Sequence, residues 1–108
     1  MAIHAVAAAV EAADGPSALT LAAETHVPAE VTRRMPIRTA HHHMDLARAQ
    51  LWENQHAESL SSLIRAKELA PQQTRHHPTA HEVTRMLVRT HRRADLPLAR
   101  FSNWIGAV

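Results

Sequence analysis

Apolar residues recur along this chain at spacings of three and four, and no stretch alternates with period two for long enough to specify a strand. Residues 2–13 contain no breaker, are rich in Ala and carry Ile3, Val6 and Val10 on one face, which predicts a first helix. Gly15, Pro16 and Ser17 end that helix and restart the chain, since Gly suits a helix C-terminus and Pro the first position of the next helix. A second helix over 17–26, with Ala18, Leu21 and Ala22 on its face, stops ahead of Pro28. Two Pro, several polar residues and the Arg33-Arg34 pair make 28–36 a connector or a frayed helix start. A long helix is then predicted over 37–53, where Ala40, Met44, Ala47 and Leu51 form a stripe that Asn54 and Gln55 interrupt. The fourth helix, over 56–70, has Ala57, Leu60, Leu63, Ile64 and Ala66 on a face broad enough to require neighbours on two sides, and it ends at Pro71. A polar stretch at 72–77 leads to Pro78, which opens a fifth helix. Its one face carries Ala80, Val83, Leu87 and Thr90, and another carries Arg85, Arg89, Arg92 and Arg93. Asp95 is placed to N-cap a sixth helix, carrying Leu98, Phe101 and Ile105, that stops at Gly106. The pattern therefore predicts one all-α domain over 1–108, with about six helices in antiparallel pairs: hairpins at 1–27, 37–71 and 78–106, and the connector at 28–36.

Composition narrows the class. A chain of 108 residues allows a single domain. Its 45% hydrophobic content is too high for an intrinsically disordered chain, and two Gly with six Pro are too few for a collagen or a sandwich of short strands. The absence of Cys removes disulfide frameworks and thiolate metal sites. A net charge of +2 is small for a nucleic-acid binder, and the 21 Ala and the excess of Arg over Lys suggest the codon bias of a GC-rich bacterial genome. The apolar run at 5–10 has no basic residue ahead of it and is followed by Glu11 and Asp14, so it reads as neither signal peptide nor membrane span, and the expected location is the cytoplasm.

Helical pairs in series call for a search for repeats. Ala23 with Pro28 recurs as Ala66 with Pro71, 43 residues on, and Leu46-Ala47, Ser59, Leu63, Ala66, Leu69 and Pro71 fall at the spacings of a tetratricopeptide repeat. The repeat is degenerate: Gln50 stands where an aromatic residue is common, and the period exceeds the usual repeat of about 34 residues. The run His43-Met44-Asp45-Leu46-Ala47-Arg48-Ala49, then Ala57-Glu58-Ser59-Leu60, then Ala66-Lys67-Glu68-Leu69-Ala70-Pro71-Gln72-Gln73 and His77-Pro78, resembles the C-terminal part of bacterial Xre-like helix-turn-helix regulators. In those proteins a short DNA-binding domain precedes a tetratricopeptide-like helical region. The resemblance covers roughly residues 17–108 and includes nothing of the DNA-binding domain. It implies the sensing region of a regulator, excised or encoded as a short reading frame, arranged as a right-handed helical array that touches DNA only through a separate helix-turn-helix domain.

The same resemblance implies where a ligand sits. First helices of stacked hairpins line an inner surface, which places His41, Met44, Asp45, Arg48 and Trp52 of the third helix on a groove that His81, Glu82, Arg85 and Arg89 of the fifth continue. Mixed charge with one Trp suits an extended peptide, whose carboxylate an Arg grips and whose side chains pack on the indole. The plainer reading of Asp45 with Arg48, and of Glu82 with Arg85, is of i,i+3 surface pairs. Ten His invite a metal reading, but adjacent His41, His42 and His43 point about 100° apart on a helix, and Pro78 keeps His77 out of helical register with His81; no metal site or cofactor is assigned. The Arg85, Arg89, Arg92, Arg93 row reads as a solvated basic face before a phosphate contact. Phe101, Trp104 and Ile105 read as core, or, if Trp104 is exposed, as a dimer or domain contact. Without Cys, a Gly-rich phosphate loop or a Gly-x-Ser-x-Gly elbow, no catalytic residue is assigned, and Ser59, Ser61 and Ser62 read as small packing residues. The expectation is a non-catalytic regulatory or interaction module that binds a peptide, small ligand or protein partner, with no membrane association. The alternatives are a self-association module without ligand, whose dimer edge would involve Ile3 and Val6, and a His-rich metal-binding protein.

Overall fold

The computed structural model describes residues 28–91 and 95–106, which form six α-helices and no strand. They are α1 (Ala29–Arg34), α2 (Pro36–Trp52), α3 (His56–Leu69), α4 (Pro71–His76), α5 (Pro78–Thr90) and α6 (Leu96–Ile105). The third to sixth helices predicted from the pattern are α2, α3, α5 and α6. The helices expected over 2–13 and 17–26, and with them Ile3, Val6, Arg92 and Arg93, lie outside the described residues.

Local chemistry sets the boundaries. Pro36, Pro71 and Pro78 each stand in the first turn of a helix, where the missing N–H costs nothing. Between α2 and α3 the chain turns through Asn54, whose φ of 60° lies in the left-handed region that Asn tolerates best after Gly. Asp95 Oδ1 accepts the Leu98 N–H at 3.0 Å and starts α6. Gly106, at φ 77°, ends it by donating its N–H to Ser102 O at 3.0 Å.

Two segments differ from expectation. Of the two readings of residues 28–36, connector or helix start, the structure shows helix: Pro28 precedes a short helix, α1, and Glu30 pairs with Arg34 one turn on at 2.7 Å. The polar stretch after Pro71 is also helical. Ala70 leaves the helical region (φ −149°, ψ 79°), since a Pro disfavours helix in the residue ahead of it, and Pro71 then restarts the helix as α4, which buries Thr74. A single inward-facing Thr gives no apolar periodicity to read.

The core gathers Ala40, Met44 and Ala47 of α2, Leu63 and Ala66 of α3, Ala80, Val83 and Leu87 of α5, and Leu98, Phe101 and Ile105 of α6. Small residues let α2 and α3 approach closely. Ser59 is fully buried and donates its hydroxyl to Ala47 O at 2.7 Å, and Ser62 donates to Gln50 Oε1 at 2.6 Å, whereas Ser61 is exposed. Each large core side chain stabilises the fold by roughly 1.5–3 kcal/mol relative to exposure. Thr90, expected on the apolar face of α5, is exposed and bonds back to Met86 O. Because α2 packs against both α3 and α5, it is the element around which the others are arranged. No helix among the described residues is long and apolar enough to cross a membrane.

Candidate functional site

His41, Asp45, Arg48 and Trp52 follow one another along α2 at spacings of four, three and four, which places them on a single stripe. On α5 the residues Glu82, Arg85 and Arg89 share a stripe in the same way. The two helices are in contact, and the structure joins their stripes at one point. Arg48 Nη2 lies 3.5 Å from Glu82 Oε1, with the two side chains 30% and 55% exposed, and the Arg48 guanidinium stands 5.2 Å from the centre of the Trp52 ring. An exposed ion pair at this distance contributes only about 0.2–1 kcal/mol. Arg48 Nε is buried at the α2–α5 junction and has no hydrogen-bond partner, while the side chain as a whole is part-exposed. Arg85 and Arg89 are exposed beyond it.

The other expected groove residues divide. Met44 is fully buried in the core and presents nothing to a groove, because it belongs to the Ala40–Ala47 stripe, which faces the core. His41 is exposed near the start of α2, with its ring 4.9 Å from that of His77. His81 donates its Nε2–H to Arg75 O at 2.6 Å and so braces the α4–α5 junction. Asp45 is half-buried on α2. The structure thus brings Arg48, Trp52 and Glu82 together, leaves Arg85 and Arg89 beside them, and assigns Met44 and His81 to packing and bracing.

The three adjacent histidines diverge as helix geometry requires. His42 is buried in the core and His43 is half-buried. Burial lowers the pKa of His42, and it lowers that of His43 to about 4, with His42 and Arg65 nearby adding to the effect. His77 is not a helical partner of His81 but the N-cap of α5, its Nδ1 accepting the Thr79 N–H at 3.1 Å. Burial and then His41 lower its pKa. Among the described residues, no group of three or more His, Asp or Glu is placed to hold a metal ion. Trp104 is half-buried and covered by cations, with Lys67 Nζ at 4.6 Å and the Arg75 guanidinium at 5.6 Å from its ring.

Two concavities lie away from the α2–α5 face. An open one of about 370 Å³ runs between α2 and α3, lined by His43, Leu46, Gln50, Ala57, Ser62 and Arg65 among others. The exposed Ala57 edge of α3 borders it, so the broad apolar face expected of that helix is only partly covered among the described residues. A smaller one of about 110 Å³ lies where α3, α5 and α6 meet. At its edge His56 Nδ1 and His91 Nε2 are 2.9 Å apart, a pairing across 35 residues of chain that no local pattern announces. No protein-family model, curated protein or solved structure matches the chain.

Proposed function

We propose that the chain is a non-catalytic interaction module whose α2–α5 face binds an extended peptide segment, free or part of a partner protein. The observation that carries this reading is the part-exposed Arg48 guanidinium, held between Glu82 and Trp52 where two helices meet. An acidic side chain or a C-terminal carboxylate could pair with the part-exposed guanidinium beside Glu82, while an apolar side chain packs on the indole. Arg85 and Arg89 extend the positive surface along α5 for a second acidic group.

In this reading α2 and α5 are the first helices of successive hairpins in a right-handed tetratricopeptide-like array. The resemblance of the 43–78 block to Xre-like regulators supports a sensing role. The bound peptide would then alter DNA binding by a separate helix-turn-helix domain, and only to the extent that it binds the two states of the regulator with different affinity.

The test is selection of random heptapeptides displayed on phage against the untagged chain and against Arg48→Gln and Arg85→Gln variants. The expected result is enrichment of peptides pairing an acidic with an aromatic or aliphatic residue on the wild type, and loss of that enrichment on Arg48→Gln. No enrichment, or the same peptides retained by Arg48→Gln, overturns the proposal.

A further inference from the structure

We propose that His56 and His91 form a binding site for a divalent transition-metal ion of the nickel, copper and zinc class, independent of the α2–α5 face. His56 is the first residue of α3 and His91 the residue that ends α5, so two helix termini, rather than one flexible loop, bring the imidazoles together. Their rings stand 5.0 Å apart at 88°, and His56 Nδ1 faces His91 Nε2 at 2.9 Å.

That spacing suits chelation. With metal–nitrogen bonds of about 2.0–2.1 Å, two cis donors are separated by about 2.9 Å at a right angle and about 3.3 Å at the tetrahedral angle. The observed separation lies at the lower of these values, and each ring has to swing by about 45° for its lone pair to leave the other nitrogen and meet a shared ion. Imidazole nitrogen is a donor that this class of metal prefers. In the metal-free pair one imidazole carries a hydrogen on the shared edge and donates it to the other. Binding requires the tautomer with that hydrogen on the far nitrogen, so that both facing nitrogens present a lone pair.

The surroundings supply room and a counter-charge. The cavity of about 110 Å³ beside the pair is lined by Leu60, Leu87, Leu98 and Asp95, enough space for an ion with two or three waters at about 30 Å³ each. Asp95 uses Oδ1 to cap α6, and a carboxylate has further lone pairs to accept from a metal-bound water. Since no three acidic or His side chains converge among the described residues, the ion has two direct protein donors and Asp95 acts through water.

The experiment is calorimetric titration of the untagged full chain with nickel chloride, and then zinc chloride, for the wild type and for His91→Ala, His56→Gln, Asp95→Asn and His41→Ala. One ion per chain is expected to bind the wild type. His91→Ala and His56→Gln each lose it, and Asp95→Asn, which keeps the helix cap, weakens it by about tenfold, as outer partners of metal sites do. His41→Ala binds as the wild type does. Circular dichroism of each variant confirms its fold. The proposal is overturned if the wild type binds neither ion, if His91→Ala and His56→Gln retain wild-type binding, or if His41→Ala abolishes it, which would assign the ion to the His41–His77 contact.

Discussion

Two buried threonines in neighbouring helices should respond to the same substitution with opposite signs. Thr74 in α4 is fully buried and its Oγ1 has no hydrogen-bond partner. Thr84 in α5 is equally buried, but its Oγ1 donates to Ala80 O at 2.7 Å. Replacing Thr by Val exchanges the hydroxyl for a methyl group of similar size. At Thr74 this removes an unpaired buried hydroxyl, whose desolvation costs about 1–3 kcal/mol, and adds apolar contact, so Thr74→Val should stabilise the protein by about 1–2 kcal/mol. At Thr84 it removes a hydrogen bond of about 0.5–1.5 kcal/mol, partly offset by burying a methyl group, so Thr84→Val should destabilise by up to about 1 kcal/mol. Urea denaturation followed by circular dichroism reads both, and in a domain of this size each kcal/mol moves Tm by about 4–8 °C. If Thr74→Val is no more stable than the wild type, or if the two variants shift together, the unpaired state of the Thr74 hydroxyl is refuted.

Three further outcomes follow from the packing and the histidines. Leu63, fully buried at the centre of the core, should cost about 2–5 kcal/mol when changed to Ala, which the same denaturation measures. Asp95→Ala removes the α6 cap and should lower stability by about 1 kcal/mol, while Asp95→Asn should not. His43 has a folded-state pKa of about 4, below the unfolded value of about 6.5, so the unfolded chain takes up the proton first. Stability from this group is therefore complete above about pH 6.5 and is lost as pH falls toward about 4. Thermal melts across that range should show a shallower decline in His43→Gln than in the wild type.

Much of the helical framework was legible because its signals are local. The Ala40–Met44–Ala47 and Val83–Leu87 spacings, Asp95 as cap and Gly106 as stop each act within a turn or two, and α2, α3, α5 and α6 follow from them. The short helices α1 and α4 were not legible. α1 buries no residue and α4 buries only Thr74, so neither carries an apolar stripe, and Pro28 and Pro71, read only as ends, also stand at helix starts. At the candidate site, the tetratricopeptide-like resemblance named Arg48 and Trp52, which the helical spacing of α2 puts on one stripe. Met44 was claimed both by the apolar Ala40–Ala47 stripe and by the groove, and the structure settles it in the core with the stripe. The Arg48–Glu82 and His56–His91 pairings span 34 and 35 residues and depend on how α2, α3 and α5 pack, which no local pattern contains.

The central claim, that the α2–α5 face is where a partner docks, is tested most directly by nuclear magnetic resonance titration of the nitrogen-15-labelled chain with the strongest phage-selected heptapeptide. Saturable shifts at the Trp52 indole, the Arg48 Nε–H and the backbone amides of Glu82 and Arg85, with the Trp104 indole unmoved, are the predicted result. Shifts confined to His43, Leu46 and Arg65 would place the peptide in the α2–α3 concavity and contradict the claim, as would a titration that produces no saturable shift.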